Sequence, residues 1–141
     1  MRFVITDIPR ESDINGIESN LKKYNCSNLG IKAAKPLAIF VKNKNNNKIG
    51  GIIAQINGNW LEMSLLWVDE KFRGRKIGSK LLKTLEAEAI VRGCKYAFLD
   101  TFSLKARDFY LKLGYKEVLK LDEYPATSKR YYLLKQLIEN K

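Results

Sequence analysis

Apolar and polar positions along this chain recur with two periods, and the period changes where prolines and glycines fall. Phe3–Ile8 reads as a first strand, ended by Pro9. Ile14, Ile17, Leu21 and Tyr24 then return every three or four residues, the spacing of one helical face. Pro36 precedes a strand, Leu37–Lys42. The polar stretch 43–48 (NKNNNK) reads as a hairpin turn, because asparagine tolerates left-handed backbone. Ile49–Ile56 and Trp60–Val68 are strands joined at Asn57-Gly58-Asn59, and Asn-Gly between apolar runs is a strong hairpin signal. From Ile77 to Arg92 the period becomes helical, and Gly93 suits the left-handed position just past a helix end. Tyr96–Asp100 is a buried-looking strand. Ser103 suits the N-cap of a helix over Leu104–Leu113, with Ala106, Phe109 and Leu113 inward and Gly114 ending it. Tyr115–Leu119 and Arg130–Leu137 close the chain as two strands.

The order is strand, helix, three strands, helix, strand, helix, two strands. It predicts an α+β fold with a central, mostly antiparallel mixed sheet of six to seven strands flanked by helices. One parallel crossover falls at residues 60–100. A length of 141 residues suits a single domain spanning 1–141, and 45% apolar content supplies a core. No segment has the apolar length of a membrane span. Residues 1–9 contain Arg2 and Asp7 and lack an apolar signal core, and Cys26 and Cys94 have no motif spacing, so reduced thiols and a cytoplasmic location are expected. Histidine is absent, which removes Ser-His-Asp and Cys-His catalysis and the usual zinc-ligand sets. No metal is expected. The net charge of +11 is spread rather than blocked. It suits a phosphate-bearing partner, and it equally suits a solvated surface.

The segment Phe72–Leu82 (FRGRKIGSKLL) narrows that choice. It follows the apolar run Leu65–Val68 and opens the helical pattern of Ile77, Leu81, Leu82 and Leu85. A strand, a tight turn with Gly74 and Gly78, and a helix start together make an anion cradle. Glycine lets the backbone approach a phosphate. Unpaired N–H groups and the helix dipole then hold its charge. Arg73, Arg75 and Lys76 add fixed positive charge. The loop lacks the Gly-Lys-Ser/Thr of a P-loop and the G-x-G-x-x-G of a Rossmann turn.

Leu65–Leu82 (LLWVDEKFRGRKIGSKLL) resembles motif A of the GNAT superfamily, the acyl-CoA-dependent N-acetyltransferases. Phe109–Tyr115 (FYLKLGY) resembles the family's motif B. The two stand in the family's order, separated by a helix and a strand, and the element order agrees along essentially the whole chain. The resemblance implies a fold whose fourth and fifth strands, Trp60–Val68 and Tyr96–Asp100, splay apart. It implies that acetyl-CoA, as co-substrate, lies in the gap, with its pantetheine arm along the backbone of Leu66, Trp67 and Val68. Its pyrophosphate would sit on the backbone of Arg73, Gly74, Arg75, Lys76, Ile77, Gly78 and Ser79.

Family chemistry is direct attack of an amine on the acetyl thioester in a ternary complex. Tyr110 stands at the motif-B position that protonates the leaving thiolate, and a phenol carries a proton at neutral pH. A backbone N–H near Leu66 or Trp67 would stabilise the oxyanion. Glu62, in the strand before motif A, is the candidate general base. Alternation places it on one face with Ser64 and Leu66 unless a bulge intervenes. A carboxylate among Trp60, Leu61 and Met63 would be desolvated, as a base requires. A solvent-facing strand residue is the competing reading of Glu62, and helix packing that of Tyr110. Asp100 reads first as a turn or cap residue.

Three positions depart from the family pattern. Ser103 occupies the place of a cofactor-binding asparagine and has a shorter reach. Glu70 replaces a frequent proline. Lys76 replaces a glycine, which costs about 1 kcal/mol if that position needs a positive φ. Tyr124-Pro125 and Lys129–Tyr132 form a basic aromatic segment, where a hairpin loop competes with a binding surface. The acceptor is a primary amine that the sequence does not name, small molecule or peptide. A free last strand would allow a homodimer. Two rival functions remain: an acyl-CoA-binding module without catalysis, and a basic nucleic-acid-binding domain. The latter accounts for the charge but not for the placement of the glycines.

Overall fold

In the computed structural model, residues 1–29 and 33–139 are described, and the chain divides into two compact units, Met1–Ala33 and Ala34–Lys141. The first unit holds one long helix, α1 (Glu11–Leu29). The carbonyl of Arg10 accepts from the amides of Asp13 and Ile14, and Glu11 and Asp13 place negative charge at the positive end of the helix dipole. Phe3–Ile8 is not a strand. A strand exists only through ladder hydrogen bonds, and here the Thr6 side chain accepts from the Ile8 amide at 3.1 Å, a local turn that competes with pairing.

The second unit is a six-stranded sheet in the order β1-β2-β3-β4-β6-β5. Its strands are β1 (Lys35–Lys42), β2 (Lys48–Asn57), β3 (Trp60–Val68), β4 (Tyr96–Thr101), β5 (Lys116–Leu121) and β6 (Arg130–Gln136). All neighbours are antiparallel except β3 and β4, which the helix α2 (Ile77–Val91) connects as a crossover. The expected turns form: Gly58, at φ +59°, is the first central residue of a two-residue hairpin closed by the Asn57–Trp60 pair. Asn46 supplies the left-handed residue of the other turn. Ile52, Leu61, Leu82, Leu85 and Leu133 are fully buried where α2 and α3 (Leu104–Lys112) cover one sheet face.

The last strand is not at an edge. β6 lies between β4 and β5, which leaves β1 and β5 outermost, so pairing of two copies through a free last strand is ruled out. Chain order suggests that the final strand is terminal, but the loop before β6 returns it into the sheet. The β5 edge is charged at Lys116, Glu117 and Lys120 and bulged between Glu117 and Leu119, features that discourage edge-to-edge pairing.

Candidate active site

The ladder between β3 and β4 has only three registered pairs, Trp60–Tyr96, Leu61–Ala97 and Glu62–Phe98. Beyond Glu62 both strands continue, β3 to Val68 and β4 to Thr101, without pairing to each other. The sheet therefore splays where the sequence motifs place the gap. From Met63 to Val68, β3 stays registered with β2 alone, so its β4-facing backbone edge has no ladder partner.

Loop geometry at the mouth of this gap follows from a few residues. Asp69 caps the short 3-10 helix Glu70–Phe72 by accepting from the Lys71 amide. Arg73 Nε donates to the Val68 carbonyl at 3.0 Å and ties the loop to the strand end. Gly74 turns the chain at φ +81°. Lys76 then takes φ +59° as the N-cap of α2 and makes no side-chain capping bond. The first amides of α2 are thus left without a side-chain acceptor and open onto a cleft of about 430 Å³.

Lys76 therefore stands in the left-handed region that glycine prefers, so the strained alternative read from the sequence is the one adopted. Lys76→Gly is expected to raise unfolding stability by up to about 1 kcal/mol, measured by urea denaturation. A destabilised Lys76→Gly variant would contradict that strain.

Seven of the expected residues line the cleft: Val68, Arg73, Gly74, Lys76, Ile77, Gly78 and Ser79. Phe72 and Phe109 join them, and sequence reasoning had not assigned either to the site. Their signal was the apolar character of positions flanking the two motifs. A Cβ placed on Gly78 would point between Phe109 Cζ, at 3.7 Å, and Val68 Cγ2, at 3.9 Å, so a side chain longer than methyl enters the cleft. This backbone surface suits a phosphate. Arg75 does not line the cleft; its guanidinium lies over the Phe72 ring, 5.3 Å from its centroid. Ser103 lies outside as well, and its hydroxyl caps α3 by accepting from the Ala106 amide.

Leu66 and Trp67 are on the stretch of β3 that is registered with β2 but not with β4. Ser64 is bulged, because Leu65 pairs with Ile53 while Met63 pairs with Ala54. The bulge inverts the alternation. Leu61 and Met63 are buried before it, and Leu66 and Val68 pack on the core after it. Glu62 and Leu66 therefore do not share a face, contrary to unbroken alternation, and Glu62 points away from Leu61 and Met63 rather than among them. It is half-buried, at the last paired position before the gap, and Gln55 Nε2 donates to its Oε2 at 2.6 Å. Asp100 is held by Arg130 at 2.8 Å, and Phe102, Tyr124 and Tyr132 surround that guanidinium, which makes Asp100 an anchor for the loop before β6.

Tyr110 is 7% exposed on α3, edge-on to Phe109 and Tyr115. Burial pushes its phenol up to about 12, so it stays protonated well beyond neutral pH. Cys94 is buried and its thiol pushed up by the same cause, which makes it a poor nucleophile.

Behind Tyr110 lies a polar clasp that the sequence does not reveal. Tyr115 donates to Glu86 Oε2 at 2.9 Å. Lys135 Nζ donates to Glu86 Oε1 at 3.0 Å and to the Leu113 carbonyl at 2.8 Å. β6 thereby ties the helix that begins at the cleft to the end of the helix that carries Tyr110. Lys135→Met would leave a buried carboxylate with the Tyr115 hydroxyl alone. It should cost about 3 kcal/mol of stability, and adding Glu86→Gln should restore part of it. A change below about 0.5 kcal/mol in thermal or urea unfolding would show that the clasp carries little energy.

Comparison with known proteins agrees with this geometry. A model of the acetyltransferase (GNAT) family matches residues 7–115. The chain is 33% identical over 118 residues to an acetyltransferase of Agrobacterium fabrum, spanning 84% of this chain and 86% of that protein. It is 30% identical over 111 residues to the blasticidin-S acetyltransferase of Streptomyces morookaense, spanning 76% and 82%. The crystal structure of an acetyltransferase from Agrobacterium tumefaciens superposes with a TM-score of 0.90 at 31% identity, covering 96% of this chain and 99% of that one.

Proposed function

The chain belongs to the GNAT family of acetyltransferases, and from that premise we propose that it transfers the acetyl group of acetyl-CoA to a primary amine within a ternary complex. The observation that carries this reading is the three-pair ladder between β3 and β4, opening beside a glycine-lined helix N-terminus. The gap offers unpaired strand backbone for an extended, amide-bearing arm, and the cleft offers amides and cations for its pyrophosphate. Acetyl-CoA supplies the activated acyl group as a thioester.

The chain's own residues would then divide the work. On the β3 edge that has no β4 ladder, a backbone N–H near Leu66 or Trp67 would stabilise a developing oxyanion. Tyr110 holds a proton at its phenol oxygen for the leaving sulfur. Glu62, on the face opposite α2 and α3, takes the proton of the incoming ammonium, so the amine approaches from the side away from the cleft. Gln55 fixes one carboxylate oxygen and leaves the other to accept.

A thiol-release screen with acetyl-CoA against small amines, amine-bearing antibiotics and peptides tests the reading. It should find at least one acceptor that yields free thiol together with acetylated product. Saturable acetyl-CoA binding with no thiol release across the panel would favour a non-catalytic acyl-CoA-binding module. Glu62→Gln should lower turnover at neutral pH and move the pH–rate profile to the alkaline side, because the amine must then lose its proton to solvent. An unchanged profile would assign that step to a water relay.

A further inference from the structure

The sheet face opposite α2 and α3 carries a row of aromatic rings that leads away from Glu62. In β4, Ala97 and Leu99 enter the core, so Phe98 and Asp100 project from the opposite face. In β6, Tyr131 and Leu133 enter the core, so Arg130 and Tyr132 project the same way. Glu62 is registered with Phe98, whose ring lies nearly parallel to that of Tyr132 with centroids 6.3 Å apart. Beyond Tyr132, the Arg130 guanidinium sits over three rings at once: Phe102 at 5.2 Å, Tyr124 at 5.0 Å and Tyr132 at 5.1 Å. Its position is fixed, because Nε donates to Asp100 Oδ2 at 2.8 Å and Nη1 donates to the Tyr124 hydroxyl at 3.0 Å. The Tyr124 amide in turn donates to the Ser128 carbonyl at 2.8 Å. Phe102 and Tyr124 nevertheless stay 49% and 36% exposed, with ring centroids 5.4 Å apart. Two rings left in water add less apolar burial than core rings do, yet this pair is held still by a shared guanidinium. A surface that is rigid before its ligand arrives loses little entropy on binding it.

The pair also stands at the right height. Counting on from the Glu62–Phe98 pair, with one residue allowed for the Ser64 bulge, brings Leu66 and Trp67 level with Thr101 and Phe102 across the gap. We propose that Phe102 and Tyr124 form a specificity platform that stacks a flat, unsaturated ring carried by the acceptor amine. The proposal rests on the acetyl-transfer reading and supplies the acceptor class that it leaves open. The acceptor's ammonium lies toward Glu62 and its ring lies on Phe102 and Tyr124. A flat π face meets these rings over its whole area, whereas a saturated ring touches them only through its axial hydrogens. The platform therefore selects for flatness and not merely for apolar bulk. Arg130 and Asp100 are positioning residues that hold the two rings in place.

Initial rates of thiol release with 2-phenylethylamine and 3-phenylpropylamine, each set against its cyclohexyl counterpart, test this. The members of each pair differ in ring flatness but scarcely in amine basicity or length. The wild-type protein should show about tenfold higher kcat/KM for the phenyl amines, mainly through a lower KM. Phe102→Leu and Tyr124→Leu should bring each pair to within about twofold by raising KM for the phenyl amines. Tyr124→Phe keeps the ring and should keep the preference. The wild-type comparison stands whether or not the leucine variants fold. Equal wild-type kcat/KM within each pair would overturn the proposal, as would a preference that survives both leucine substitutions. So would acetylation of other amines with neither phenyl amine accepted, and in all three cases the acetyl-transfer reading would stand. Thiol release with no amine of any kind would overturn that reading and the platform together, an outcome distinct from a lost preference.

Discussion

Gly78→Glu is expected to abolish measurable acetyl-CoA binding, a loss of about 10³-fold or more, while leaving the fold intact. The two halves of that expectation have separate physical grounds. Gly78 does not need glycine's conformational freedom, since its φ is not positive. A Cβ there meets only Phe109 Cζ at 3.7 Å and Val68 Cγ2 at 3.9 Å, ordinary contact distances. A carboxylate in the first turn of α2 also interacts favourably with the helix dipole. Stability should therefore be kept. The same carboxylate enters the cleft between Val68 and Phe109, satisfies the α2 amides itself and repels a pyrophosphate. Gly78→Ala, which adds a methyl group without charge, should weaken binding far less. A folded Gly78→Glu variant with wild-type affinity would show that the anion sits elsewhere.

Tyr110→Phe is expected to lower kcat about 10²-fold or more, with little change in acetyl-CoA affinity. The substitution removes one oxygen and keeps the ring, so the edge contacts with Phe109 and Tyr115 survive and packing changes little. What is lost is a proton donor. Because burial pushes the phenol up to about 12, its ionisation should impose no alkaline fall in wild-type activity below about pH 11. Wild-type turnover in Tyr110→Phe would reduce the residue to packing, and a wild-type alkaline limb near pH 10 would indicate a phenol more exposed than its surroundings allow.

Most of the fold was legible because its signals are local. Alternation marks β1 to β3, the Asn-Gly turn marks their hairpin, and the 3.6-residue period of Ile77, Leu81, Leu82 and Leu85 marks α2. The cradle was legible for the same reason: Gly74 and Gly78 lie within one contiguous stretch. What escaped depends on partners distant in sequence. Phe3–Ile8 has strand-like composition, but composition cannot supply a neighbouring strand. The Ser64 bulge, a mismatch of count between β2 and β3, leaves no trace in β3 alone, yet it decides which way Glu62 points. The insertion of β6 between β4 and β5 is likewise non-local. Tyr115 and Lys135 are separated by 29 and 49 positions from the Glu86 carboxylate they share, so no spacing rule connects them. Lys76 is the reverse case. The sequence framed the alternatives, and the backbone angle chose between them.

The site's location is the central claim, and amide chemical shifts followed by NMR during an acetyl-CoA titration test it most directly. The expected result is saturable shifts concentrated in the amides of Gly74 to Ser79 and of β3 from Ser64 to Val68, with β1 and β5 silent. Absence of saturation, or shifts concentrated on the β1 or β5 edge, would contradict it.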